Sequence, residues 1–534
     1  MSPTPPWPTP PAGTRAPHRV SVHSLPNELL ACVLSQLDAS SSIEKRFRDD
    51  ASTLIDDYYA ARGDRPSRQH PLKSLSLVSR KWRAAALPYL FRHVLWTFRR
   101  LEEPAAAAAA AAAAPAALGA TPGFEVLAFL REHGLAPAVD SITLYVPCPE
   151  HLIDDPTEVV GRFGLVPSAT LAETTTTTTT MQGVEGVEGG EGDAESVVSS
   201  ETASLVLADA NRHTTWSNTW FWDLLFSVVD PLRVSILAAP VVLATMLSRK
   251  VYTRCQPLMM TRYHLLSVSR ADRSSLPIEL EVEGDDDGDD DDDDDDDDGP
   301  AEPTPTTTDP HIPMCANLPC ELFARRRWTT LLANEGSSVS IYKTDAYGQT
   351  PPSPLLSLLA SHDPATRRFL RRHLHRLVYV AIMPMATHFR AMLTALARLP
   401  PSRLAEIFVQ IMPRGVDLDH LRYHLDPDDA GALFEGLDIQ DLVMERDIVY
   451  GMLFKAIFVP GPRPEWESLR VFETGDADDD TVAWAEAIET VRASTSCWYV
   501  AERGRFVRDL VREEARRKRE TSSDAAMSSA SGAL

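Results

Sequence analysis

The sequence predicts an α/β protein in two parts, a small all-α module at the N-terminal end and a larger helix-strand domain behind it. Three observations carry that prediction. Two apolar helical stretches, Leu25–Leu37 and Leu72–Val94, lie near the start. Beyond residue 123, short apolar runs of strand type alternate with runs of helical period. Biased tracts, a threonine run within 157–204 and an aspartate run within 284–310, interrupt the alternation and hold little that could enter a core.

A chain of 534 residues exceeds one ordinary domain, and 44% hydrophobic residues suffice for a sizeable core. The net charge of −24 is concentrated: Asp285–Asp287 and Asp289–Asp298 carry 13 acidic residues, and without them −11 remains. A modestly acidic remainder argues against a phosphate-backbone binder, so no nucleic-acid partner is expected. Six scattered cysteines and a start that reads MSPTPPWPTPPAG, unlike a signal peptide, point to an intracellular protein, cytoplasmic or nuclear. The longest apolar run, Val234–Leu247, is broken by Ser235 and Pro240 and is too short to span a bilayer. No membrane partner is expected.

Pro26 presets φ at a helix start, and Asn27 and Glu28 put polar and acidic groups where unpaired amides and the positive dipole end sit. Leu29, Leu30, Val33, Leu34 and Leu37 then share one face. In the second stretch Leu72, Leu75, Val78 and Trp82 keep helical spacing until Pro88, and Tyr89, Leu90, Phe91 and Val94 follow as an apolar tail. Two helices this short cannot bury that surface against each other. Each large apolar side chain left outside forgoes about 1.5–3 kcal/mol, so a partner is implied.

The order of residues here, Leu25-Pro26-x-Glu28-Leu29-Leu30, then Leu75-x-Leu77-Val78-Ser79-Arg80-x-Trp82, then Pro88-x-Leu90-Phe91, resembles an F-box of the fungal type over Ser24–Trp96. The resemblance implies a three-helix module that docks on the Skp-type adaptor of an SCF ubiquitin ligase, while the rest of the chain selects a protein substrate. It places Leu25, Pro26, Leu29, Leu30, Leu34, Leu75, Val78 and Trp82 at or directly beneath the adaptor interface. The plainer alternative is a helical hairpin packed on its own domain. One departure bears on the choice: Asp38–Pro71, with Ile43, Phe47, Leu54, Ile55 and Tyr58, separates helices that the family joins closely. Loop entropy tolerates such an insertion. It is also long enough to shield the docking face.

In order, residues 1–19 read as a disordered proline-rich leader, 24–97 as the module with its insertion at 38–71, and 98–122 as an alanine-rich linker. Residues 123–512 form the larger domain, with disordered insertions at 157–204 and 284–310, and 513–534 a disordered tail. Within the larger domain the patterns predict helices at Gly123–His133, Trp216–Asp230, Val241–Val251, Thr366–His373, Thr387–Leu399 and Asp480–Arg492. Strands are predicted at Asp140–Val146, Leu232–Leu237, Tyr263–Val268, Arg376–Ile382, Leu404–Met412, Ser468–Glu473 and Cys497–Val500.

Several strands carry large apolar residues at i, i+3 and i+5: Val139/Ile142/Leu144, Val229/Leu232/Val234, Tyr263/Leu266/Val268, Leu374/Leu377/Tyr379, Leu404/Ile407/Val409 and Trp466/Leu469/Val471. Chance supplies such a triplet roughly once per 30 positions, so the triplet alone has no force. With the spacing of the last three it resembles a degenerate leucine-rich repeat, without the Asn or Cys that ends the repeat's ladder. An ordinary α/β domain with a mostly parallel sheet stays open beside it.

Catalysis requires convergent groups, and no glycine-rich phosphate loop or G-x-S-x-G turn is present. His420 and His424, with Asp417 or Asp419, have the spacing of a metal pair, but Leu421 stands where a zinc protease has its glutamate. A surface histidine pair explains them more simply. Cys315 and Cys320 lack a second ligand pair, and Arg367, Arg368, Arg371, Arg372 and His373 read as a solvated helix face. The basic Arg516–Arg519 reads likewise, with a nuclear address as the alternative. The expectation is a non-enzymatic receptor with no cofactor and no metal. The alternative is a repeat scaffold whose hairpin never meets a ligase.

Overall fold

Among residues described by the computed structural model, ten strands form one sheet in the order β1-β2-β3-β4-β5-β6-β7-β8-β10-β9, so that nearly every strand lies beside its successor in the chain. The described residues are 25–38, 42–54, 71–97, 124–147, 219–249, 262–273, 320–344, 351–399, 403–415, 437–458, 466, 468–479, 481–493, 497–512, 514–515 and 518. The leader, the alanine-rich linker, both biased insertions, His420 and His424, and the tail beyond 518 lie outside them.

The strands are β1 (His93–Thr97), β2 (Ser141–Val146), β3 (Arg233–Ala238), β4 (His264–Ser269), β5 (Thr330–Ser337), β6 (Arg376–Ile382), β7 (Glu406–Gln410), β8 (Val471–Thr474), β9 (Trp498–Glu502) and β10 (Arg505–Arg508). β1 to β3 run parallel, as do β5 to β8. β4 is antiparallel to both neighbours, and β10 is antiparallel to β8 and β9. The fold is therefore mixed α/β around a large, mostly parallel sheet.

Thirteen α-helices are described: α1 (Asn27–Leu37), α2 (Ser42–Arg46), α3 (Pro71–Ser76), α4 (Arg80–Leu90), α5 (Glu125–Glu132), α6 (Thr219–Val228), α7 (Pro240–Met246), α8 (Glu321–Ala324), α9 (Pro354–Leu359), α10 (Pro364–Arg368), α11 (Ala386–Ala397), α12 (Ile439–Phe458) and α13 (Thr481–Ala493). From α5 onward most of them bury apolar residues on the same sheet face, and α9 is buried along its whole length. Leu127 of α5, Trp222 of α6, Leu243 of α7, Phe389 of α11, Tyr450 of α12 and Ala487 of α13 join one core with Ile142, Ile236, Leu266, Leu331, Leu377, Ile407 and Phe472. None of the described helices is long and apolar enough to cross a membrane.

The i+3 and i+5 residues Ile142/Leu144, Leu377/Tyr379 and Ile407/Val409 all point into this core. In the last triplet Leu469 does so too, but Val471 does not. Glu406 is level with Val471 and Ile407 with Phe472, so Phe472 is the inward residue and Val471 stands on the opposite face. Strand side chains alternate, and a shift of one residue exchanges the faces.

Among the elements of the main core that the sequence pattern did not predict are β5, α12 and β10. In β5 (TLLANEGS) the polar second half hides the strand. In α12 the run Glu445-Arg446-Asp447 interrupts an otherwise apolar face, although Arg446 is itself buried. In β10 (RFVR) only Phe506 is fully buried. The tail after α4 is also not a tail: His93–Thr97 pairs with β2 and begins the sheet.

The face away from the helices is built in register rows. Tyr145, Leu237, Leu265, Asn334, Val380 and Gln410 stand level across β2 to β7. The next row is Thr143, Ser235, Ser267, Leu332, Val378 and Phe408, within which Ser235 Oγ donates to Ser267 Oγ at 2.8 Å.

Candidate functional site

Helices α1, α3 and α4 make a small module with a core of its own: Leu30, Leu34, Leu72, Trp82 and Ala86. Pro26 starts α1 without a side-chain cap, and its carbonyl accepts from Leu30 N–H at 3.1 Å. Ser79 caps α4, its Oγ accepting from Trp82 N–H at 3.3 Å. Lys81 Nζ donates to Leu25 O at 2.5 Å, which ties the start of α1 to the start of α4.

Of the eight residues placed at the adaptor interface, Leu30, Leu34 and Trp82 are buried in this core, and Leu25 and Leu75 are half-buried against it. Pro26, Leu29 and Val78 face solvent. Two residues outside that set join them, so that Leu29 is 51% exposed, Val33 44%, Leu77 74% and Val78 55%. One helix and one inter-helix turn thus keep four large aliphatic side chains in water, where burial of each would contribute about 1.5–3 kcal/mol. The buried Trp82 Nε1–H finds no acceptor among the described residues.

The module is attached without an intervening linker. Leu87 and Phe91 pack against the sheet's main core, and Arg92 bonds Asp38 at 2.8 Å and Asp140 at 2.5 Å before the chain enters β1.

The described part of the Asp38–Pro71 insertion leaves Leu29, Val33, Leu77 and Val78 uncovered and goes to the sheet face opposite the helices. Ile43, Ala51 and Leu54 pack with Tyr145, Leu237 and Leu265, and Phe47 reaches Val378, Val380 and Phe408. Phe47 meets Phe408 edge-on at 6.1 Å between ring centroids. The polar contacts come from two wholly buried amides. Asn334 Nδ2 donates to Phe47 O at 2.8 Å and Asp49 O at 2.7 Å, and Gln410 Nε2 donates to Arg48 O at 2.9 Å. Arg48 Nε returns a bond to Gln410 Oε1 at 2.8 Å, and its Nη2 donates to Gly475 O at 2.5 Å. At the other end Glu44 pairs with Arg233 at 3.3 Å. Ile55 and Tyr58, expected to continue this segment, lie outside the described residues.

On the helix side, at the end of β5, Glu335 gathers a buried polar cluster. His388 Nε2 donates to its Oε2 at 2.8 Å and Tyr379 Oη at 2.9 Å, while Ser353 Oγ donates to Oε1. Burial alone would raise the Glu335 carboxyl, but the charge and hydrogen bond of His388, with His264 and Ser353, hold it at about 2. Burial lowers His264 to about 4 and raises Tyr379 well above its usual value. The adjoining cavity, lined by Arg262, His264, Glu335, Ser337 and His388 among others, has a volume of about 20 Å³. That is room for a water molecule rather than a substrate.

No group of three or more His, Cys, Asp or Glu among the described residues is arranged to hold a metal ion. Cys320 is wholly buried and its thiol is pushed up to about 12, so it is unreactive. Arg367 and Arg372 are exposed on the helical stretch before β6, and Cys315 lies outside the described residues. No protein-family model, curated protein or solved structure matches the chain.

Proposed function

We propose that the chain is a protein-binding subunit without catalysis of its own. In particular, it is the substrate receptor of an SCF-type ubiquitin ligase. The helical module docks on the Skp-type adaptor, and the sheet domain, a degenerate leucine-rich-repeat-like array in this reading, holds a protein substrate. Catalysis is then borrowed, because holding a substrate lysine beside ubiquitin on another subunit raises its effective concentration.

The observation that carries the reading is the exposure of Leu29, Val33, Leu77 and Val78 on a module whose core is closed without them. The order of strands along the chain supports the repeat-like reading of the larger part. The attachment of α4 and Arg92 to the sheet favours a second reading, a scaffold whose helices only brace the domain.

Capture of a purified Skp-type adaptor separates the two. The triple variant L29D/L77D/V78D should lose capture at least 100-fold while its melting temperature stays that of the wild type, since these side chains contribute little to the fold. Undiminished capture by the triple variant would end the interface assignment, and no capture by the wild type would favour the scaffold.

A further inference from the structure

Sheet faces that need only a cover are met by apolar side chains. The middle of the face opposite the helices instead presents Asn334 and Gln410, level in one register row on either side of Val380 and both wholly inaccessible to solvent. Their amides are aimed at main chain. Between them they take the carbonyls of three consecutive residues, Phe47, Arg48 and Asp49. Main-chain carbonyls are common to every peptide, so this part of the grip is independent of the side chains held.

Side-chain selection comes from two places beside it. The Arg48 guanidinium lies 5.3 Å from the Phe408 ring centroid and is bonded to Gln410 Oε1 and Gly475 O. Glycine at 475 leaves the slot open: a Cβ there would stand 2.7 Å from Arg48 Nη2, 2.7 Å from Gln410 Oε1 and 2.8 Å from Phe408 Cζ, so the side chains that form the grip would have to shift. Phe47 fills the apolar step formed by Val378, Val380 and Phe408. Arg414 adds a cation 3.3 Å from the Asp49 carboxylate. The occupant is supplied from far away in the chain, 285 to 427 residues from the groups that hold it.

We infer that this face is a peptide-recognition site, now filled by the chain's own Phe47-Arg48-Asp49 turn, and that its ligand is a partner-protein segment presenting the same Phe-Arg-Asp turn. The inference names a substrate class for the receptor proposed above and rests on that reading for its biological use. A tethered segment competes at an effective concentration in the millimolar range, so a free peptide enters only when the tethered one is weakened or outnumbered.

The test uses the full chain and a fluorescently labelled peptide of residues 42–54, SIEKRFRDDASTL, followed by anisotropy. The variant F47A/R48A should bind the peptide at least tenfold more tightly than the wild type. Adding G475V to that variant should abolish uptake, and a peptide with alanine for arginine at position 48 should not bind. Should F47A/R48A fail to melt cooperatively, R48K replaces it. Equal affinity of wild type and variant, absent uptake by the variant that folds, or failure of both variants to fold would each overturn the inference, the last by making the segment integral core. Adaptor capture is scored on the same preparations: its loss with peptide uptake intact counts against the receptor reading alone.

Discussion

The three-helix module and the sheet face opposite the helices treat their side chains in opposite ways. The module closes its core with Leu30, Leu34, Leu72, Trp82 and Ala86 and leaves aliphatic residues in water. The sheet face places amides at its centre and covers them with a distant stretch of chain. Apolar burial is roughly proportional to area and has no direction, so a patch such as Leu29/Val78 costs stability unless something else covers it. A buried amide must be bonded, so Asn334 and Gln410 make sense only with a main chain beside them. The first region keeps an uncovered apolar patch beside a closed core, and the second has been completed from within.

The comparison can be broken at its strongest point by Trp82→Ala. A buried tryptophan removed from so small a core should cost about 3–5 kcal/mol. The loss should be local, with the α1, α3 and α4 amides losing hydrogen-exchange protection while β5 to β7 keep theirs. Equal loss in both regions would show that module and sheet unfold as one unit.

A smaller effect separates the helix side from the rest by pH. His264 has a folded value lowered to about 4 from 6.5, so the unfolded chain takes up a proton that the folded chain refuses. Stability is therefore complete above pH 6.5 and falls by about 3 kcal/mol as pH drops to 4. Glu335, lowered to about 2 from 4.5, continues the loss from pH 4.5 down to 2. In urea titrations, H264N should flatten the upper part of the curve and leave the lower part. An unchanged slope between pH 6.5 and 4 would contradict the assignment.

The smallest of the three sharpens the sheet side. Asn334→Ala removes two donors and leaves the Phe47 and Asp49 carbonyls unbonded under cover, costing about 1–3 kcal/mol. The 42–54 amides should then exchange faster than those of α1. Unchanged exchange there would mean that apolar packing alone holds the segment.

Much of the architecture could be read from the sequence, because strands such as β6 (RLVYVAI) are buried on both faces and stand out as apolar runs. β6 falls at the predicted Arg376–Ile382, and α5, α11 and α13 fall within a residue or two of their predicted bounds. What escaped follows from the sites. β5 reads poorly because Asn334 serves the segment across the sheet and Glu335 serves the buried cluster, and neither has a local signature. His388 and His264 meet Glu335 only through the fold. In the module, helical period grouped Leu29 with Leu30 and Val78 with Trp82, but the sides that face the core depend on how α1 and α4 cross. That Val33 and Leu77, neither of them in the expected interface set, stand exposed beside Leu29 and Val78 therefore came from the structure.

The most direct test of the account is hydrogen exchange of the full chain with and without a saturating Skp-type adaptor. The account predicts added protection in 27–37 and 71–90, with no change in 42–54 or in the strands. Protection confined to the sheet, or none on the module, would contradict it.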